Sequence, residues 1–213
     1  EEYWTIHAQC KKQNKAFEAD LVKVEGKKPK IKDEEEAKAL LERCNGEYIV
    51  SSISKKQKKK QPKLPFTTST MQQEASTKLG FGAKKTMSVA QKMYEGIDLG
   101  GNMEGLITYM RSDSTRLSDI FVSDAKKFIT NTYGKEYVGF VKKSKKTENV
   151  QDAHEAIRPT SITRTPDSVK EYLTNDEYKL YRLIYFRALA SLMKDAKQQL
   201  TTVILDNNDY KFK

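Results

Sequence analysis

The segment Thr108-Tyr109-Met110-Arg111-Ser112-Asp113-Ser114-Thr115 gathers groups that can act on a phosphate. A phenol with a pKa of about 10 is a poor nucleophile at neutral pH. A cation beside it favours the phenolate and can also hold the phosphate that the phenolate attacks. In an extended strand, residues two apart project the same way. Tyr109 and Arg111 would then share one face, with Met110 turned to the core. The plainer reading of Tyr109 is a half-buried aromatic, one of eleven tyrosines, and spacing alone leaves both open.

A second cluster is Asp152-Ala153-His154-Glu155-Ala156-Ile157-Arg158-Pro159. It reads as the end of a short helix over 149–158 that stops at the proline. His154 and Arg158 are four apart, on one helix face. Together they suit an anion, and histidine can transfer a proton near pH 7. Asp152 and Glu155 form a D-x-x-E capping pair, and a surface histidine is the plainer reading of His154 and of His7. A third cluster, Pro65 to Ala75, puts several hydroxyls at a helix start, where they cap the helix or bind a phosphate.

The elements that must carry these clusters follow from periodicity. Trp4, Ile6 and Ala8 alternate with polar residues, and Phe17, Ala19 and Leu21 repeat the strand pattern. Residues 33–44 read as a helix capped by Asp33, with Ala37, Leu40, Leu41 and Cys44 on one face and Asn45-Gly46 as its stop. Residues 48–53 read as a strand. Lys55 to Lys63, six lysines in nine residues without an acid, reads as a linker or loop that runs along a polyanion or serves as a solvated hinge.

From Phe66 the period is helical. Thr70 and Gln73 suit a capping box, with Met71, Ala75 and Leu79 on one side. Gly80-Phe81-Gly82 breaks that helix, and 86–95 resumes it, with Met87, Ala90, Met93 and Tyr94 apolar. This is a helix–turn–helix with a basic entry at Lys84 and Lys85. A Gly-rich loop over 96–105 leads to an expected strand at 106–110, in the place of a wing. Further helices are expected at 121–132 and, in two pieces, over 167–196, with Thr174 and Glu177 as the second capping box. Residues 201–205 and 210–212 read as a hairpin. The expected fold is therefore α+β: a discontinuous, mostly-β domain (1–64 and 197–213) carrying an inserted, mainly helical domain (65–196) with a winged-helix-like unit.

The chain has 213 residues and a net charge of +10, from 39 basic and 29 acidic side chains. That length can bury a sizeable core. The longest nearly apolar stretch, 183–193, is too short to span a bilayer. Two cysteines, Cys10 and Cys44, exclude a disulfide scaffold and a four-cysteine zinc site. A basic cytoplasmic chain usually meets phosphates or anionic lipid. The first residue is Glu1, so a piece of a longer protein is expected.

Three stretches carry a specific resemblance: PFTTSTMQQEASTKLGFGAKKTM at 65–87, EGLITYMRSDST at 104–115 and DAHEAIRPT at 152–160. Together and in this order they resemble the central region of bacterial type IA DNA topoisomerases, strongly from 65 to 160 and weakly over the first 60 residues. The resemblance implies that Tyr109 is the nucleophile, that Arg111 contacts the scissile phosphate, and that His154 lies near it. It implies DNA as partner, through a single-stranded segment of negatively supercoiled duplex. It also implies no ATP, no membrane, a monomer, and a cytoplasmic, nucleoid-associated location. Gly80, Gly82, Lys84, Lys85, Thr108, Ser112, Asp113, Ser114 and Arg158 are the expected DNA-binding residues. Ser112 stands where that family most often has Thr, and 98–103 lengthens the loop before the tyrosine. The family's Mg²⁺-binding acidic domain and zinc-finger tail have no counterpart here, so no metal is expected in this chain, and the chain alone is expected to be inactive. The strand-rich part would correspond to the family's arch. The alternative is a non-catalytic winged helix–turn–helix DNA-binding module.

Overall fold

The structure, a computed structural model, describes residues 3–140 and 154–213. In chain order its main elements are β1 (His7–Lys12), β2 (Lys15–Val24), α1 (Glu34–Arg43), β3 (Ile49–Lys60), α2 (Thr68–Leu79), α3 (Ala83–Glu95), β4 (Ile97–Asp98), β5 (Met103–Glu104), α4 (Asp119–Tyr133), α5 (Asn175–Ser191), β6 (Ala196–Asn207) and β7 (Tyr210–Phe212). They fall into two compact units: Glu1–Lys59 with Lys197–Lys213, and Lys60–Ala196. No described helix is long and apolar enough to cross a membrane.

In the first unit, the strands from the two chain ends meet in one sheet of order β1-β2-β7-β6-β3. β1 and β2 pair antiparallel from His7↔Asp20 to Lys12↔Lys15. β2 pairs with β7 through Leu21↔Phe212. Period-2 burial drives this pairing: Ile6, Ala8, Ala19, Leu21, Leu205, Tyr210 and Phe212 face one core, while Thr5, His7 and Gln9 face out. Phe17, which pairs with Cys10, departs from the expected pattern and is exposed. Asp33 caps α1 by accepting from the Glu36 N–H at 2.9 Å. Ala37 is buried, but Leu41 is exposed, so the apolar face is narrower than expected. The Asn207 amide, buried, donates to the Asn45 and Glu47 carbonyls and ties the end of α1 to β6. The lysine run is not a loop: β3 continues through it to Lys60, exposed along its whole length.

The second unit packs α2, α3, α4 and α5 around Phe66, Met71, Met93, Leu106, Met110, Ile157, Tyr181 and Tyr185. α2 starts earlier than expected, because Thr67 rather than Thr70 is the cap, and Thr67 and Thr70 form the reciprocal box. Gly80 ends α2 in the left-handed region (φ 68°), which glycine adopts without strain. α3 begins directly after Gly82, three residues earlier than expected. Tyr94, expected among the apolar positions, is exposed. The expected capping box of α5 is present at Thr174 and Glu177.

Two expected elements are not seen among the described residues. Residues 106–110 form no strand, so nothing there stands as a wing; the short hairpin is β4–β5, inside the Gly-rich loop. Residues 154–158 are not helical; residues 149–153 of that expected helix lie outside the described residues, as does Asp152 of the expected capping pair. The backbone amides of Ala156, Ile157 and Arg158 are spent elsewhere, on Arg116 O, Phe66 O and Thr108 Oγ1. Pro159 also disfavours a helical residue before it. Bridges Phe66↔Ile157 and Ile107↔Pro159 replace the helix. His154 and Arg158 therefore do not share a helix face.

Candidate active site

The tyrosine segment is held from both sides by hydrogen bonds to distant parts of the chain. On one side, Thr108 N–H donates to Arg158 O at 2.9 Å, and Thr108 Oγ1 donates to Ala156 O at 2.7 Å and accepts from Arg158 N–H at 3.0 Å. Ser112 Oγ donates to Glu155 O at 2.6 Å. On the other side stands the first turn of α2. Thr68 N–H donates to Ser112 O at 2.8 Å, Thr68 Oγ1 donates to Met110 O at 2.8 Å, and the Ser112 N–H donates to Thr68 Oγ1 at 2.9 Å. Upstream, Leu106 N–H donates to Met93 O at 2.7 Å and anchors the segment to α3.

This clamp produces alternating exposure without a strand ladder. Met110 and Ser112 are buried, while Tyr109, Arg111 and Asp113 are exposed. Burial of Met110 in the helical core forces its neighbours outward. Tyr109 is 43% exposed, and its ring meets Tyr94 edge-on at 5.2 Å between centroids, a favoured aromatic geometry. Gly105 permits that approach: a Cβ there would stand 2.9 Å from the Tyr94 carbonyl oxygen. Arg111 has no carboxylate partner among the described residues. His154 is exposed. The Ser112–Glu155 bond joins the two segments one residue from Arg111 and one residue from His154.

The other expected DNA-binding residues divide into inward and outward groups. Thr108 and Ser112 point inward and serve the clamp. Ser114 caps the next turn by accepting from Arg116 N–H at 3.1 Å. Arg158 is occupied: its guanidinium bonds to Glu155 at 2.7 Å and to Pro159 O at 2.9 Å, and it lies over the Phe121 ring. Lys85 pairs with Asp176 at 2.7 Å and covers the Phe81 ring. Lys84 and Asp113 are exposed. Gly80 and Gly82 serve as helix caps, with open space where a Cβ would stand.

The sequence points to Glu155 only as half of a capping pair and to Tyr94 only as an apolar helix position, and it marks neither Thr68 nor Gly105 individually, because the part each plays depends on contacts with remote residues. Glu74 also carried no signal. It is buried on α2, and its carboxylate meets Lys63 (2.7 Å), Lys78 (2.7 Å) and Arg187 (2.6 Å). Burial pushes its pKa up, but the three cations outweigh that and bring it down to about 2. Arg187 in turn stacks on Phe66 and donates to Leu64 O. This network fixes the chain just before α2, and so the Thr68 end of the clamp. Among the described residues no three His, Cys, Asp or Glu side chains gather as metal ligands.

A DNA topoisomerase family model matches residues 1–213. The solved structure of full-length topoisomerase I from Thermotoga maritima is similar to this one, with 41% sequence identity and a TM-score of 0.71, covering 92% of this chain and 31% of that one. The chain thus spans about a third of the length of that relative. With its match running from the first residue to the last, this chain belongs to the DNA topoisomerase family.

Proposed function

We propose that the chain is the tyrosine-bearing part of a type IA DNA topoisomerase, acting on a single-stranded segment of negatively supercoiled duplex. The observation that carries this reading is an exposed tyrosine on a hydrogen-bond-clamped segment, two residues from an arginine without a described carboxylate partner. Tyr109 loses its proton, and its phenolate oxygen attacks phosphorus. A P–O bond to the tyrosine forms as the bond to the 3′ oxygen breaks, and that oxygen takes up a proton. The products are a 5′-phosphotyrosine and a 3′-hydroxyl.

Another strand or duplex passes through the gap, and the hydroxyl then reverses the attack. One phosphodiester replaces another of similar energy, so relaxation needs no ATP. Arg111 stabilises the charge that develops on the phosphate. His154 donates a hydrogen bond to it or assists proton transfer. The clamp holds the Tyr109 backbone in one place, which lowers the ordering cost of reaching the phosphate. Any Mg²⁺ that the reaction uses is held outside these described residues, and the 213 residues alone do not relax DNA.

Covalent trapping tests the reading. The full-length protein should carry an end-labelled oligonucleotide on Tyr109 after denaturation. Noncovalent DNA binding with no adduct would leave only a binding module.

A further inference from the structure

The lysine run gains a shape in the structure that the reading of Tyr109 does not use. Four of the five residues 55–59 are lysine, and they lie in β3, an edge strand of the sheet. Its sheet neighbour is β6, which pairs with β7 only through Leu205, Asp206 and Asn207. The remaining part of β6, from Ala196 to Ile204, thus has β3 as its neighbour in the sheet and adds Lys197. Every residue of β3 and the first six of β6 are exposed. The result is a two-stranded ribbon open to solvent.

Its charge is of one sign. Residues 49–60 and 196–205 contain no Asp or Glu. Lys63, Lys78, Lys85 and Lys211 each have a carboxylate partner. Among the described residues, Lys55, Lys56, Lys58, Lys59 and Lys197 have none. Side chains alternate along a strand, so Lys55 and Lys59 project to one face and Lys56 and Lys58 to the other. Guarding a sheet edge against another chain takes only a charge or two. A run on both faces, with no acid among it, goes beyond that.

We propose that this ribbon is a docking surface for the phosphate backbone of duplex DNA, separate from the tyrosine segment. Two dimensions match. Four lysines over five strand residues give one charge per roughly 4 Å, close to the one phosphate per about 3.4 Å along each strand of B-form DNA. A two-stranded ribbon is also narrow enough for the major groove, about 12 Å wide. There, lysines on both faces meet the phosphates of both groove walls. Binding is electrostatic and independent of sequence.

The test replaces Lys55, Lys56, Lys58, Lys59 and Lys197 with Gln. A control replaces Lys11, Lys12, Lys15, Lys23 and Lys28 with Gln and changes net charge equally. Equilibrium binding to a duplex and to a single strand is measured by anisotropy at several salt concentrations, in a Tyr109→Phe chain so that no covalent chemistry contributes. The ribbon variant should lose duplex affinity about tenfold or more at low salt, and its slope of log K against log salt should fall by about 4, near 0.9 per phosphate contact. The control should keep its slope. If the five-site variant fails to fold, Lys56→Gln with Lys58→Gln should lower the slope by about 2. Equal losses in ribbon and control variants, a loss confined to the single strand, or no loss would each overturn the proposal and leave the Tyr109 reading standing.

Discussion

Arg111 and Glu74 are two charges with opposite situations. Arg111 is exposed and makes no described ion pair, so its substitution should cost the fold almost nothing. Lysine's point charge reproduces a guanidinium's paired hydrogen bonds poorly. Arg111→Lys in the full-length enzyme should therefore slow cleavage roughly a hundredfold, the effect of losing about 3 kcal/mol of transition-state stabilisation. Covalent-complex yield measured beside a melting curve checks this, and unchanged cleavage in a folded protein would remove Arg111 from the site. Glu74 is buried, and its folded pKa of about 2 lies below the ordinary 4.5. A depressed carboxylate stabilises the fold above its unfolded pKa, and that contribution fades as pH falls from about 4.5 towards 2. It amounts to about 3 kcal/mol. Glu74→Gln should lower the melting temperature at pH 7 and flatten the stability profile across that acid window; a profile as steep as the parent's would contradict the three-cation network.

At the scale of elements, the tyrosine segment owes its conformation to its neighbours. Thr68→Val keeps the shape of the side chain but removes the bonds of its hydroxyl to Met110 O, Ser112 O and the Ser112 N–H, leaving the Met110 carbonyl and the Ser112 amide without this partner. It should cost about 1–3 kcal/mol and reduce adduct yield at Tyr109. Thermal melts and trapping together measure this, and a variant as stable and as active as the parent would show that the clamp is dispensable. The same dependence explains what was legible in the sequence. α1 and α5 are, because their caps (Asp33 and Thr174) lie beside the helix's own first turn. The end-to-end sheet is legible because burial alternates with period two in β1, β2 and β7. Residues 106–110 and 154–158 are not, because their backbone bonds join positions about fifty apart, such as Thr108 with Ala156 and Arg158. No local pattern encodes that pairing. Tyr109, Arg111 and His154 stood out through motif resemblance, whereas Thr68 and Tyr94 could be found only once the segments were brought together.

At the scale of the whole molecule, the two units have separate hydrophobic cores: one built from β1, β2, α1, β6 and β7, the other from the helices and the tyrosine segment. Residues 60–196 expressed alone should therefore fold cooperatively, with a sigmoidal melt and dispersed amide resonances; a non-cooperative melt would mean that its core needs the sheet. The clamp, Tyr94 and the Glu74 network all lie within that unit, so the geometry around Tyr109 should persist in it. The central claim is that this tyrosine makes and breaks the phosphodiester in the assembled enzyme. The most direct measurement incubates the full-length protein with a labelled single-stranded oligonucleotide, denatures it, digests it, and identifies the peptide that carries the nucleotide by mass spectrometry. The expected result is a 5′-phosphotyrosine on the peptide containing Tyr109, absent from a folded Tyr109→Phe protein that still binds DNA. An adduct on another residue, or one undiminished in Tyr109→Phe, would contradict the account.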